Sequence, residues 1–103
     1  MTLIIIYATF SNLEEGEKIA RFLLEKRLIA CANFLPIKSF YWWNGKIDNS
    51  DEIVGLFKTQ ERNWNKIITE IKKLHSYDIP CIIKIPIEAD EEYEKWVENK
   101  VKD

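Results

Sequence analysis

The chain has 103 residues, 47% apolar and 31% charged, which suits a single globular domain over 1–103 and excludes both disorder and a second core. Fifteen Lys and Arg against 17 Asp and Glu give a net charge of −2, so no basic excess points to nucleic acid. The longest apolar run falls far short of the ~20 residues a membrane helix needs, and no basic leader precedes it.

Residues 3–8 (LIIIYA) are isoleucine-rich without polar alternation, which predicts a strand covered on both faces. Ser11-Asn12-Leu13-Glu14 carries a capping-box pattern that opens a helix. Leu13, Gly16, Ala20, Leu23 and Leu24 recur at helical spacing, and the helix should stop near Arg27. Two extended arms follow, residues 29–43 and a return ending near Thr59. Asn44-Gly45 joins them, a pair that tolerates the positive φ of a type I′ hairpin turn. Pro36 has no amide hydrogen for a ladder, so an edge, a bend or a bulge is expected there. The polar run 48–52 (DNSDE) predicts an irregular start to the return arm.

Trp64, Ile67, Ile68, Ile71 and Leu74 form an amphipathic stripe, and Thr59 is the expected cap of that second helix. Residues 81–87 (CIIKIPI) read as a fourth strand, confined by Pro86 to an edge or bulge. Asp90 is placed to cap a last helix with Tyr93, Trp96, Val97 and Val101 on one face. The order β-α-β-β-α-β plus a terminal helix predicts an α+β fold, the ferredoxin-like plait. Its two split β-α-β units make a four-stranded antiparallel sheet with helices on one face.

The open face of such a sheet should alternate with polar residues. Residues 3–6, 40–43 (FYWW) and 53–57 (IVGLF) do not. Either the last helix folds across this face in a monomer, or the face is buried against other copies. The helix carries too narrow an apolar stripe to cover it all, so a homo-oligomer is expected. Hairpin arms of about fifteen residues, against a usual 5–6, would reach past their own sheet and pair with a neighbour.

Ala30-Cys31-Ala32-Asn33, Ser39-x-Tyr41-x-Trp43-x-Gly45-Lys46-Ile47, Glu52, Lys58-Thr59, His75-x-Tyr77-x-x-Pro80 and Tyr93-x-x-Trp96 resemble the pattern of the CutA divalent-cation tolerance proteins. The resemblance runs essentially the whole chain. It implies a ferredoxin-like plait assembled as a homotrimer, similar in architecture to the PII nitrogen-signalling proteins. It also implies a cytoplasmic setting and a role in tolerance of divalent metals, copper foremost, but supplies no settled molecular activity. No catalytic motif or organic-cofactor motif stands in the sequence, so a non-enzymatic protein is expected. The chain itself is the expected partner, with no nucleic acid and no membrane. Two cysteines are too few for a disulfide scaffold and are expected as reduced thiols.

Copper and zinc sites draw on Cys and His, which makes Cys31, His75 and Cys81 the candidate metal ligands. His75-x-x-Asp78-x-x-Cys81 is the only tight grouping, and no CxxC or HxxxH occurs. Each has a plainer alternative. His75 would answer free carbonyls at a helix C-terminus, and Cys31 would be a small buried hydrophobe. In the resembled family the Cys31 position is a favoured metal candidate, whereas Cys81 stands where members often carry glutamate or a small residue. The acidic run 88–94 (EADEEYE) would answer a helix dipole or hold hard cations weakly.

Asn33, Ser39, Tyr41, Lys58, His75, Tyr77 and Trp96 are the polar and aromatic members of the pattern, and the candidates for a ligand cleft between subunits. Lys58 lies mid-strand in apolar company and needs an anion, either Glu52 or another carboxylate of the protein, or a bound ligand. The PII likeness offers a small anionic metabolite or nucleotide as an alternative function. Three isolated glycines make no phosphate loop, which weighs against ATP. Other classes on this topology fit less well. An acylphosphatase wants an arginine where the chain has Ala8-Thr9-Phe10-Ser11, and a copper chaperone wants paired cysteines after its first strand.

Overall fold

The computed structural model describes residues 2–102. β1 (Leu3–Phe10) runs two residues past its predicted end, because Thr9 and Phe10 still pair with Val54 and Ile53. α1 (Leu13–Glu25) is capped by Asn12 rather than Ser11. The Asn12 side-chain oxygen accepts from the Glu15 amide at 2.8 Å, while the Glu15 carboxylate accepts from the Ser11 amide and hydroxyl at 2.9 and 3.0 Å. Arg27, in the left-handed region with φ of 61°, turns the chain out of the helix. Ile19, Ala20 and Leu23 are buried, while Leu13 and Leu24 face solvent.

β2 (Cys31–Trp43) and β3 (Lys46–Gln60) are joined by Asn44 and Gly45 with φ of 50° and 74°, the two positive values a type I′ turn requires. Their register is unbroken from Cys31 opposite Lys58 to Trp43 opposite Lys46. The expected irregularity at 48–52 is therefore absent. β1 ends opposite Ile53, so these polar residues belong to a two-stranded ribbon that projects beyond the sheet, where no face must be apolar. Pro36 causes no bulge either. It lies opposite Ile53 on an edge strand, where a missing donor costs no ladder bond.

After a single 3-10 turn (Glu61–Asn63) come α2 (Trp64–Leu74), β4 (Ile82–Ile87) and α3 (Glu91–Lys100). Asn63, not Thr59, precedes α2. Thr59 stays in β3 and donates its hydroxyl to the Leu28 carbonyl at 2.6 Å, a bond that Asn63 supports with its side-chain amide at 3.2 Å. Asp90 caps α3 as expected, accepting from the Glu92 and Tyr93 amides. The sheet order is β2-β3-β1-β4 with every neighbouring pair antiparallel. Both Pro36 and Pro86 thus sit on edges. Among the described residues no helix is long and apolar enough to cross a membrane.

Side chains alternate across this sheet, so each face can be read from the register. Ile4, Ile6, Ala8 and Phe10 of β1 and Phe57 of β3 point to α1 and α2, where they pack with Ile19, Leu23, Ile67 and Ile71. Phe10, Phe34 and Phe57 meet there with centroids 6.1–6.5 Å apart. Gly55 lets two of these rings close in, since a Cβ there would lie 2.8 Å from Phe57 and 3.0 Å from Phe10. The opposite face is covered at its two ends, where Leu3, Gln60 and Val97 of α3 are buried at one and Thr9 and Val54 at the other, beside the segment that follows α2. Beyond α3 it carries Leu35, Ile83 and Ile85 at 52%, 48% and 41% exposure.

Candidate functional site

Two polar clusters lie on this open face or at its end. The first begins with Cys31 and Asn33 on β2, which share a face with Lys58 on β3. The Lys58 ammonium donates to the Asn33 side-chain oxygen and lies 3.9 Å from the Cys31 sulfur. Tyr93 of α3 stands next to Cys31 and completes the group. Burial, and then the neighbouring thiol, push the Tyr93 phenol above its usual range. Tyr93 in turn stacks on Trp96 with centroids 5.6 Å apart. Among the described residues no carboxylate lies within ion-pair distance of Lys58.

Glu52 does not reach it. It lies six residues along the same strand, about 20 Å away, and accepts instead from the Tyr77 hydroxyl at 2.7 Å. That bond belongs to the second cluster, gathered where β1 ends. His75 follows α2 with its side chain fully enclosed, its ring stacked on Phe10 at 5.2 Å. It does not answer the helix carbonyls. The Tyr77 backbone N–H donates to Nδ1 at 3.0 Å, and a backbone amide can only donate, so Nδ1 is bare and Nε2–H donates to the Thr9 carbonyl at 2.7 Å. Both ring nitrogens are committed within the chain, leaving no lone pair for a metal in this arrangement.

Glu15, 3.9 Å from that ring, ties α1 to the same loop by accepting from the Ser76 amide at 2.8 Å. Partial burial opposes its ionisation, but hydrogen bonds from Ser76 and Ser11 outweigh this and hold its carboxyl at about 2. Tyr77 is raised far above the normal phenol range, by burial first, then by its bond to Glu52, with charge at Glu52, Glu15 and Tyr41 adding to it. Cys81, just ahead of β4, has its thiol pushed up by burial and by Glu52, against a hydrogen bond with Thr9. The open-face corner formed by Cys81, Glu52 and Tyr77 is therefore electronegative.

The sequence candidates divide accordingly. Asn33 and Lys58 meet directly, and Trp96 joins them through Tyr93. His75 and Tyr77 meet at the other cluster, whereas Tyr41 lies on the hairpin and donates its hydroxyl to Ser50 at 3.2 Å. Ser39 lies opposite Ser50 on the projecting hairpin. Cys31 and Cys81 stand at opposite edges of the sheet and do not meet. Among the described residues no three His, Cys, Asp or Glu side chains converge, so the grouping of His75, Asp78 and Cys81 does not close around one point. Glu15, Thr9 and Tyr93 belong to these clusters and were not among the predicted site residues. An Asn-x-x-Glu pattern at residues 12–15 was the available signal for Glu15.

Residues 4–100 match the family model described as CutA1 divalent ion tolerance protein. The chain belongs to this family. It is 44% identical over 101 residues to the divalent-cation tolerance protein CutA of Pyrococcus horikoshii, covering 97% of this chain and 99% of that one. The corresponding protein of Archaeoglobus fulgidus is 46% identical over 97 residues, 93% of this chain and 95% of that one. The solved structure of the periplasmic divalent cation tolerance protein CutA from Archaeoglobus fulgidus superposes with a TM-score of 0.94 at 44% identity, over 97% of this chain and 99% of that one. The CutA family is thus described by tolerance of divalent cations rather than by a catalysed reaction, and its solved members share this α+β architecture.

Proposed function

We propose that the chain works as a non-enzymatic, cytoplasmic homotrimer of ferredoxin-like plaits, similar in architecture to the PII proteins, that binds or responds to divalent metal ions, copper foremost. The observation that carries the assembly is the open face. Leu35, Ile83 and Ile85 lie there in water, and the projecting hairpin adds Phe40, Trp42 and Ile47 at 69%, 72% and 66% exposure. Surface of this kind is stable when it is buried against another copy. The strand order β2-β3-β1-β4 supports the plait, and two free thiols, Cys31 and Cys81, suit a reducing compartment.

Electrostatics rank the candidate ligands. Cys31 has an ammonium 3.9 Å away, which repels a dication. Cys81 is a soft donor in the negative field of Glu52, which attracts a dication, so it suits Cu²⁺ or Zn²⁺ better. His75 joins only if its ring leaves Thr9 and Tyr77. Light scattering on a sizing column tests the assembly, with about three times 12.3 kDa expected. Calorimetry with Cu²⁺ on the wild type, Cys81→Ser, Cys31→Ser and His75→Ala tests the metal, with saturable binding weakened most by Cys81→Ser. A single-chain mass would overturn the trimer, and Cu²⁺ binding unchanged in all three variants would overturn the ligands.

A further inference from the structure

Several lysines of this chain sit beside carboxylates at the surface, as Lys38 does with Asp51, Lys84 with Glu61 and Lys95 with Glu91. Lys58 differs. It is half-buried in the middle of the sheet, opposite Ile5, with Ile85 on the strand beyond. Its partners are an amide oxygen and a thiol sulfur, both neutral. Neutral dipoles orient an ammonium but leave its charge uncompensated, and a cation withdrawn from water keeps an unmet demand for an anion.

The same corner holds directional donors. Since Asn33 gives its oxygen to Lys58, its amide N–H₂ is turned elsewhere and remains a donor. Tyr93 brings a phenolic hydroxyl from α3 to Cys31, and the stacked Tyr93–Trp96 pair stands half-exposed at the helix. We infer that Lys58, Asn33 and Tyr93 bind a small oxyanion, a carboxylate or a phosphate, on the open face beside α3. The inference goes beyond metal tolerance. It rests on the proposed assembly only for a second wall, since in one chain the corner lies open to solvent.

Thermal denaturation and calorimetry of the full chain decide it, with inorganic phosphate and citrate each compared with chloride at matched ionic strength. The wild type should gain stability saturably with phosphate, citrate or both, and not with chloride. A response to phosphate alone identifies a phosphate site, and a response to citrate alone a carboxylate site. Asn33→Asp gives Lys58 a carboxylate of its own, so it should raise the midpoint in anion-free buffer and erase the response. Lys58→Gln should weaken binding at least tenfold. If that variant fails to fold or assemble, the comparison of Asn33→Asp with the wild type still decides. The proposal is overturned if the wild type responds no more than to chloride, or if Asn33→Asp responds as the wild type does. Sizing on the same samples separates the two readings: an assembled protein indifferent to oxyanions sinks this one alone, and a single chain that binds them sinks only the trimer.

Discussion

The two faces of the sheet are built from the same kinds of residue, yet they end in opposite states. On the helix side Ile4, Ile6 and Phe57 are fully buried by α1 and α2. One strand pitch away, Ile83 and Ile85 remain nearly half exposed. The rows at Leu3 and at Thr9 are closed and the middle is not, because α3 offers a single stripe, Val97 and Val101, and only the segment after α2 reaches the other end. What one chain can bury is set by how many amphipathic helices it has, and what it presents to other copies is the remainder. Polar chemistry collects on that remainder too, since both clusters with unsatisfied or shifted groups face it or its end.

This contrast can be broken or sharpened by substitution. The largest effect on a single chain belongs to the helix side. Phe57→Ala leaves a cavity between Phe10 and Phe34, and chemical denaturation should show a loss of about 3–5 kcal/mol. Ile83→Lys, on the open face, should leave the fold intact and raise the dissociation constant of the assembly roughly 100-fold, about 2.7 kcal/mol, read by sizing across a dilution series. An unchanged mass at every dilution would mean that this face is not buried between copies. Tyr77→Phe comes next. It strips Glu52 of its 2.7 Å donor and leaves a buried carboxylate short of a partner, which should cost about 1–3 kcal/mol in a urea titration.

Much of this contrast was legible in the sequence. Asn44-Gly45 announced its turn because both residues tolerate positive φ, and Pro36 and Pro86 announced the edges because neither can donate. Strand β1 announced two-sided burial by having no polar alternation. What escaped depends on distance through space. Glu52 and Lys58 look like partners in sequence, and the extended strand places them about 20 Å apart. His75 looked like a helix-terminal cation or a ligand, but the fold brings Thr9 and Tyr77 to its two nitrogens, 66 positions upstream in one case and 2 downstream in the other. Thr59 has good capping chemistry, and the Leu28 carbonyl claims it first. Ile19 fell outside the predicted stripe because that stripe was anchored on Leu13, which faces solvent.

Glu15 offers the smallest effect and the cleanest sign. Its carboxylate joins the start of α1 to the loop after α2 through the Ser11 and Ser76 amides. Hydrogen bonds from Ser76 and Ser11 hold its carboxyl at about 2 in the folded chain, below its ordinary 4.5. A depressed folded value means that the ionised form is the one the fold prefers. The resulting stability is complete above pH 4.5 and is lost as pH falls towards 2. Because the group is partly reached by water, about 1–2 kcal/mol is the appropriate size. Glu15→Gln should therefore unfold at lower urea than the wild type at pH 7, and the two should converge as pH approaches 2. Parallel pH profiles would show that the carboxylate's charge contributes nothing to the junction between α1 and the His75 loop, leaving only its shape to hold the enclosed ring in place.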